Sequence, residues 1–275
     1  HLDSNCGEWD YNSHLHLCDL PSAATPDHDK TFCNTEIARW VTTYSREGRW
    51  VTDISAMLAH LQQGGKRRFK WSASKQGKKC FANDVCVETA YITTASLRLR
   101  NSGKGVRPVQ MIQAFSGGQF GPTYNDKQKP LTFKVPEGTK KVGLHALITG
   151  HGFGKSVENC SEFCNHEHHF SVGGKTFIHD HPSAQSQNGC LERINEGVVP
   201  NQFGTWPYGR GGWCPGLDVS PWVQDITAQI DLKGDNVLTY QALFKGKPYT
   251  PTPLPGKTSA DGGNIKMLAW LVFYQ

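Results

Sequence analysis

Three stretches of the chain combine carboxylates, aromatics and small residues as a hydrolytic or sugar-binding site requires. They are Asn5-Cys-Gly-Glu-Trp-Asp10, Asn159-Cys-Ser-Glu-Phe-Cys164 and Gly204-Thr-Trp-Pro-Tyr-Gly-Arg-Gly-Gly-Trp-Cys-Pro-Gly216. In the second, Cys160 and Cys164 are close enough to close a small disulfide loop, which would hold Glu162 at its apex and limit its carboxylate to a few orientations. A carboxylate held in this way can position a water. In the third, glycines let backbone approach a ligand closely, Trp206 and Trp213 offer stacking faces, and Arg210 offers a planar fork of donors. The plainer reading of both is a polar tip on a stapled loop and a packed, glycine-rich turn.

The histidines point to a different chemistry. Seven of the 12 fall between His145 and His181, in the runs Asn165-His-Glu-His-His169 and His179-Asp-His181. On a strand, His166 and His168 share one face and His169 turns to the other, so the first two form a pair suited to a transition metal. The plainer reading is a polar, histidine-rich surface.

These residues need a scaffold, and the composition leans all-β. The 275 residues are 37% hydrophobic and 19% charged with 29 Gly and 15 Pro, a turn-rich globular chain rather than a helical bundle or a disordered tail. No run of 18 apolar residues occurs, which excludes a membrane-spanning helix. The net charge of +5 is small, and the basic stretch from Lys66 to Lys79 reads as a solvated face, so no nucleic-acid partner is expected. Nine cysteines spread along the chain indicate disulfides and a secreted, extracellular protein. Their odd number, with no initiator Met, suggests a chain that starts after processing or within a longer protein, where an upstream segment could partner Cys6 and complete the first domain.

Val85 to Arg100 reads as a long strand, and Gln229 to Leu232 with Val237 to Phe244 as a hairpin around Lys233-Gly-Asp-Asn236. Asn264 to Tyr274 reads as a strand with Ile265, Met267, Ala269, Leu271 and Phe273 on one face. Only Asp53 to Leu61 reads as a helix, with Asp53 as its N-cap. The fold class that follows is all-β, two antiparallel jelly-roll or β-sandwich domains side by side. The first spans residues 1–105 and is incomplete at its N-terminus, and the second spans 106–275, with Asn101 to Arg107 as the linker.

Cys6-Gly-Glu-Trp-Asp10, Gly150-His-Gly-Phe-Gly154, Cys160-Ser-Glu-Phe-Cys164 and Gly209-Arg-Gly-Gly-Trp-Cys-Pro-Gly216 occur in one order, and in this the chain resembles the peptide-N-glycosidase F family. The resemblance implies two jelly rolls with a site at their interface, acting on N-glycans or glycoproteins by hydrolysing the N-acetylglucosamine–asparagine amide without a cofactor. It implies Asp10 as the acid or base for the attacking water. It further implies Glu162 as the second carboxylate and Arg210 as the arginine that holds carboxylate and sugar. Trp9, Trp206 and Trp213 would bind substrate, and disulfides would join Cys160 to Cys164 and Cys190 to Cys214. Tyr11 stands where that family has an arginine, and Arg68 to Ser74 carries no counterpart of a further family glutamate. More distantly, His166-Glu-His-His169 resembles the HxHH strand of peptidylglycine monooxygenases, which implies a copper on His166, His168 and Met267, a donor set that suits copper. The second copper of those enzymes would have only His14 and His16. The reading is therefore an amidase, with a copper oxidoreductase and a non-catalytic extracellular glycan-binding or structural module as alternatives.

Overall fold

A computed structural model describes residues 2–4, 11–18, 33, 35–44, 46–62, 64–73, 78–80, 86–88, 91–101, 103, 105–201 and 204–275. Antiparallel strands build it. In the first part of the chain β1 (Leu2–Ser4) lies between β4 (Glu47–Gly48) and β8 (Tyr91–Thr93), and β2 (Asn12–Cys18) lies between β3 (Thr35–Val41) and β5 (Arg68–Ala73). A short ribbon pairs β6 (Lys78–Cys80) with β7 (Cys86–Glu88), Cys80 opposite Cys86. The later part is a sandwich of two four-stranded sheets. One runs β14 (Trp222–Asp225), β11 (Lys141–His151), β16 (Asn264–Tyr274), β9 (Pro108–Gln119). The other runs β10 (Leu131–Phe133), β15 (Asn236–Phe244), β12 (His166–Val172), β13 (Lys175–His179).

Strand β16 shows how the layers are held. Ile265, Met267, Ala269, Leu271 and Phe273, the face expected from the alternation, all enter the core between the two sheets, where they meet Phe170, Leu238 and Ile148. Trp270 and Val272 point the other way, into a second core with Met111 and Leu147 from this sheet and Leu17, Ile37 and Val41 from the first part of the chain. The sheet is thus buried on both sides. That explains the near-continuous apolar character of β11 and β16, a pattern that a half-exposed sheet would not show. On β12 the burial alternates strictly, His166, His168, Phe170 and Val172 inward and Glu167, His169 and Ser171 less so. Strands β12 and β13 are joined by Gly173-Gly174, both with positive φ, 55° and 76°, the two-residue turn that such glycines favour.

Several local expectations are corrected. The strand expected over Val85 to Arg100 is broken into β7 and β8, and residues 95–100 are exposed and without strand pairing. No hairpin forms at Gln229 to Leu232. The Asp231 carboxylate instead accepts the Lys233 and Gly234 N–H groups, a local turn that competes with pairing, and β15 pairs with β10 and β12. The expected helix is a 3-10 turn (Ser55–Met57) running into α1 (Leu58–Leu61), and Asp53 accepts the Ser55 N–H at 2.8 Å. Among the described residues no helix is long and apolar enough to cross a membrane.

Candidate functional site

The second and third chemistry-bearing stretches meet at the end of β11. Helix α2 (Cys160–Phe163) is a single turn, and it packs so closely on Gly150 that a Cβ there would lie 1.5 Å from the Ser161 carbonyl oxygen, so only glycine fits. Gly152 N–H donates to Glu162 Oε2 at 2.9 Å, and Arg210 Nε donates to Oε1 at 3.4 Å. Backbone bonds from Gly211 N–H to Glu162 O (2.7 Å) and from Gly150 N–H to Gly211 O (2.7 Å) tie the glycine-rich loop to both. The carboxylate is held by backbone and guanidinium instead of by a disulfide. The expected bridge between Cys160 and Cys164 is not formed. Both are buried thiols in contact with each other, and Cys164 Sγ also meets the Glu158 carbonyl at 3.5 Å. Cys190 and Cys214 are joined, as are Cys18 and Cys33.

Arg210 is only 3% exposed, and its donors are directed inward. Nη1 reaches the Tyr208 carbonyl (3.1 Å), and Nη2 reaches the Thr205 carbonyl (3.0 Å). The guanidinium lies 4.7 Å over the Trp213 ring. Trp213 is itself buried, donates Nε1–H to the Gly150 carbonyl at 2.7 Å and stacks on His151 at 5.2 Å. Both residues therefore shape the floor that fixes Glu162. The groups open to a ligand are aromatic: Phe153 and Tyr208 are 67% and 43% exposed, and Phe163 lies edge-on to each. Trp206 is half-buried against the core around Cys190 and Cys214. Asp10 and Trp9 lie outside the described residues, but the strand they lead into is placed: Tyr11 N–H donates to Thr42 Oγ1, and Asn12 Nδ2 is 2.8 Å from His151 Nε2.

His151 is a member of this site that the sequence reading passed over, although it lies in the quoted Gly150-His-Gly-Phe-Gly154 segment. Burial, reinforced by the charges of Lys266, Arg39, His14 and Arg210, holds its pKa well below the ordinary value. Its Nε2 also meets Thr149 Oγ1 at 2.9 Å, and Thr149 accepts from Arg39 Nη1 at 2.7 Å. That arginine is buried and paired with Glu36 through two hydrogen bonds of 2.7 Å. Burial alone would raise the Glu36 carboxyl, but the Arg39 bonds and charge, with His14 at 2.6 Å, hold it down at about 2. Glu36 and Arg39, with His14 and His16, line a groove of about 400 Å³ between the two parts of the chain.

Below Gly150 and Gly211 lies a cluster of histidines. His166 Nδ1 and His168 Nε2 are 2.8 Å apart, and both rings are fully buried. The pairing of β12 with β13 ends at His168 opposite His179, and just beyond it the rings of His181 and His166 meet with centroids 4.9 Å apart. One nitrogen from each of His166, His168 and His181 lies within 4.8 Å of the others. Met267 is buried on β16 beside Ile148, in the same core as Phe170. Of the histidines offered for a second site, His14 is bonded to Glu36, and His16 lies 5.8 Å from His14.

The profile described as "Peptide-N-glycosidase F, C terminal" matches residues 119–272, more than half of the chain and all of the Glu162, Arg210 and histidine segments. The chain belongs to the peptide-N-glycosidase F family. No curated protein matches it in sequence. Its fold is that of solved family members. A structure of PNGase F, described as a glycosylasparaginase from Flavobacterium meningosepticum, superposes with a TM-score of 0.61 at 15% identity, over 99% of this chain and 82% of that one. A peptide-N(4)-(N-acetyl-β-D-glucosaminyl) asparagine amidase does so with 0.64 at 15%, over 100% and 83%. PNGF-II gives 0.57 at 14%, over 99% of this chain and 55% of that one. The two-sandwich, antiparallel all-β fold is thus shared, while the sequences have diverged widely.

Proposed function

We propose that this chain is an amidase that cleaves the bond between N-acetylglucosamine and asparagine in N-glycoproteins. The observation that carries the reading is the Glu162 carboxylate, fixed by the Gly152 N–H and the buried Arg210, with exposed Phe153 and Tyr208 packed on the adjoining Phe163. A water oxygen adds to the asparagine side-chain amide carbon, and the carbon–nitrogen bond breaks to leave an aspartate and a 1-amino sugar. Asp10 takes the water proton and returns it to the leaving nitrogen, while Glu162 orients water and sugar. Arg210 is a positioning residue that acts through Glu162, and Phe153 and Tyr208 offer apolar faces to the sugar. This chemistry uses side chains alone. The two disulfides among the described residues fit an oxidising, extracellular site of action, where N-glycoproteins are found.

The test is glycopeptide cleavage followed by mass spectrometry. The wild-type chain should release the glycan and leave aspartate in place of asparagine, and Asp10→Asn should stop release while the protein stays folded. Binding of the glycopeptide without release by the wild-type chain would overturn the amidase in favour of a glycan-binding module.

A further inference from the structure

Tyr124, Tyr240, His168, His166 and Ser161 form a buried hydrogen-bonded chain whose proton positions follow from its last member. The Ser161 carbonyl can only accept, so His166 Nε2, 3.0 Å away, carries the proton and His166 Nδ1 is a bare lone pair. His168 Nε2 then donates to it at 2.8 Å, and His168 Nδ1 accepts from the Tyr240 hydroxyl at 2.8 Å. Tyr240 accepts in turn from Tyr124 at 3.0 Å. Every nitrogen and hydroxyl of this chain is satisfied with both imidazoles neutral. The third ring breaks the pattern, because His181 Nε2 is buried and has no hydrogen-bond partner. An orphaned imidazole nitrogen in a dry interior costs free energy that the packing around it does not return.

We propose that His166, His168 and His181 form a binding site for a divalent transition-metal ion, a site separate from the carboxylates of the amidase reading. Three imidazole nitrogens within 4.8 Å of one another need only small ring movements to reach the roughly 3.3 Å spacing of ligands about 2.0–2.1 Å from a tetrahedral ion, with the fourth position left to water. The surroundings are those of a ligating triad. His166 already donates its outer N–H to a backbone carbonyl, which leaves Nδ1 free to bind, and His168 has Tyr240 as its outer partner. Loading moves the His168 proton from Nε2 to Nδ1, where it donates to Tyr240, whose hydroxyl then donates to Tyr124 as the Tyr124 hydroxyl turns away. No proton leaves the protein in this rearrangement. Neutral imidazoles suit zinc and copper, and His181, 7% exposed where the buried pair is fully enclosed, is the side of entry.

The experiment titrates metal-stripped full-length protein with Zn²⁺ and, separately, with Cu²⁺, and reads bound metal by elemental mass spectrometry and Tm by calorimetry. The expected result is one ion per chain and a Tm rise of ~5 °C or more at a hundredfold excess over Kd. His181→Asn should abolish both. Its apo Tm should stay within a few degrees of wild type, since His181 Nε2 has no hydrogen bond to lose. His169→Asn, on the opposite face of β12, should leave both intact. Should His181→Asn fail to fold, the wild-type titration decides alone. Absence of stoichiometric binding of either ion by wild type overturns the site, and so does binding that survives in a folded His181→Asn or is lost in His169→Asn.

Discussion

The Glu162 site and the histidine cluster are neighbours built on one continuous segment, α2 into β12, and they solve the problem of buried polarity in opposite ways. Around Glu162 the polar groups are charged, and each is met by an opposite charge or a backbone dipole: the carboxylate by Gly152 N–H and Arg210, the guanidinium by carbonyls of the glycine-rich loop. Around His166 they are neutral, satisfied by one another, and one nitrogen of His181 is left over. A saturated charged pair is a device for holding a geometry, whereas a nearly saturated neutral cluster with an orphan is a device for receiving something. The two should therefore respond to different perturbations.

The strongest break between them is chemical. Glu162→Ala should lower glycan release by ~10²-fold or more, the scale of losing a positioned acid–base or electrostatic group, and leave metal binding at the histidines unchanged. Kinetics on a glycopeptide and the metal titration, run on the same preparation, check both halves. A variant that lost metal and activity together would show the two sites to be one.

Next in size is stability at the Glu36–Arg39 pair, a further charged and saturated group. Arg39→Ala strands a buried carboxylate and should cost ~3–5 kcal/mol, read by urea denaturation. A loss below about 1 kcal/mol would show that water reaches Glu36 freely. The same pair sets a pH signature. The Glu36 carboxyl is held down at about 2 in the fold against 4.5 in the unfolded chain, so its contribution is complete above pH 4.5 and disappears as pH falls toward 2. The histidine cluster acts in a higher window. His166 is lowered from 6.5 to about 4, so the unfolded chain takes up its proton first, and stability falls as pH drops from 6.5 toward 4. Tm against pH should show two separate declines, the upper one shallower in His166→Asn and the lower one shallower in Glu36→Gln.

Much of this comparison was legible in the sequence, and the part that was not has a physical cause. The alternation on β12 put His166 and His168 on one face, and that on β16 put Met267 and its companions in the core, because a period of two depends on nothing beyond the strand. The meeting of Glu162 with Arg210 came from the family resemblance, since no local rule joins residues 48 positions apart. His181 was missed although a signal existed. Gly173-Gly174 specifies a two-residue hairpin whose register pairs His168 with His179, which brings residue 181 to the same end of the hairpin as 166. The Cys160–Cys164 bridge was expected from short spacing and resemblance, and the two residues are indeed neighbours, as a pair of buried thiols rather than a disulfide. His151 escaped because its partners, Asn12, Thr149 and Trp213, come from three separate segments.

The smallest expected effect concerns the aromatic rim, where the charged pocket meets solvent. Phe153 and Tyr208 each contact Phe163 edge-on and keep much of their surface open, so truncation removes little from the folded protein. If these rings cover the apolar face of a sugar, Phe153→Ala and Tyr208→Ala should raise KM about threefold to tenfold, ~0.7–1.4 kcal/mol of lost stacking, and leave kcat near wild type because Tyr208 holds Arg210 through its backbone carbonyl, which the substitution keeps. A fall in kcat at constant KM would mean that Phe163, released from its two neighbours, lets the Arg210 guanidinium 5.3 Å above it move. The rim would then belong to the apparatus that fixes the carboxylate, and the line between holding a geometry and receiving a ligand would run outside the pocket, at its edge with the substrate.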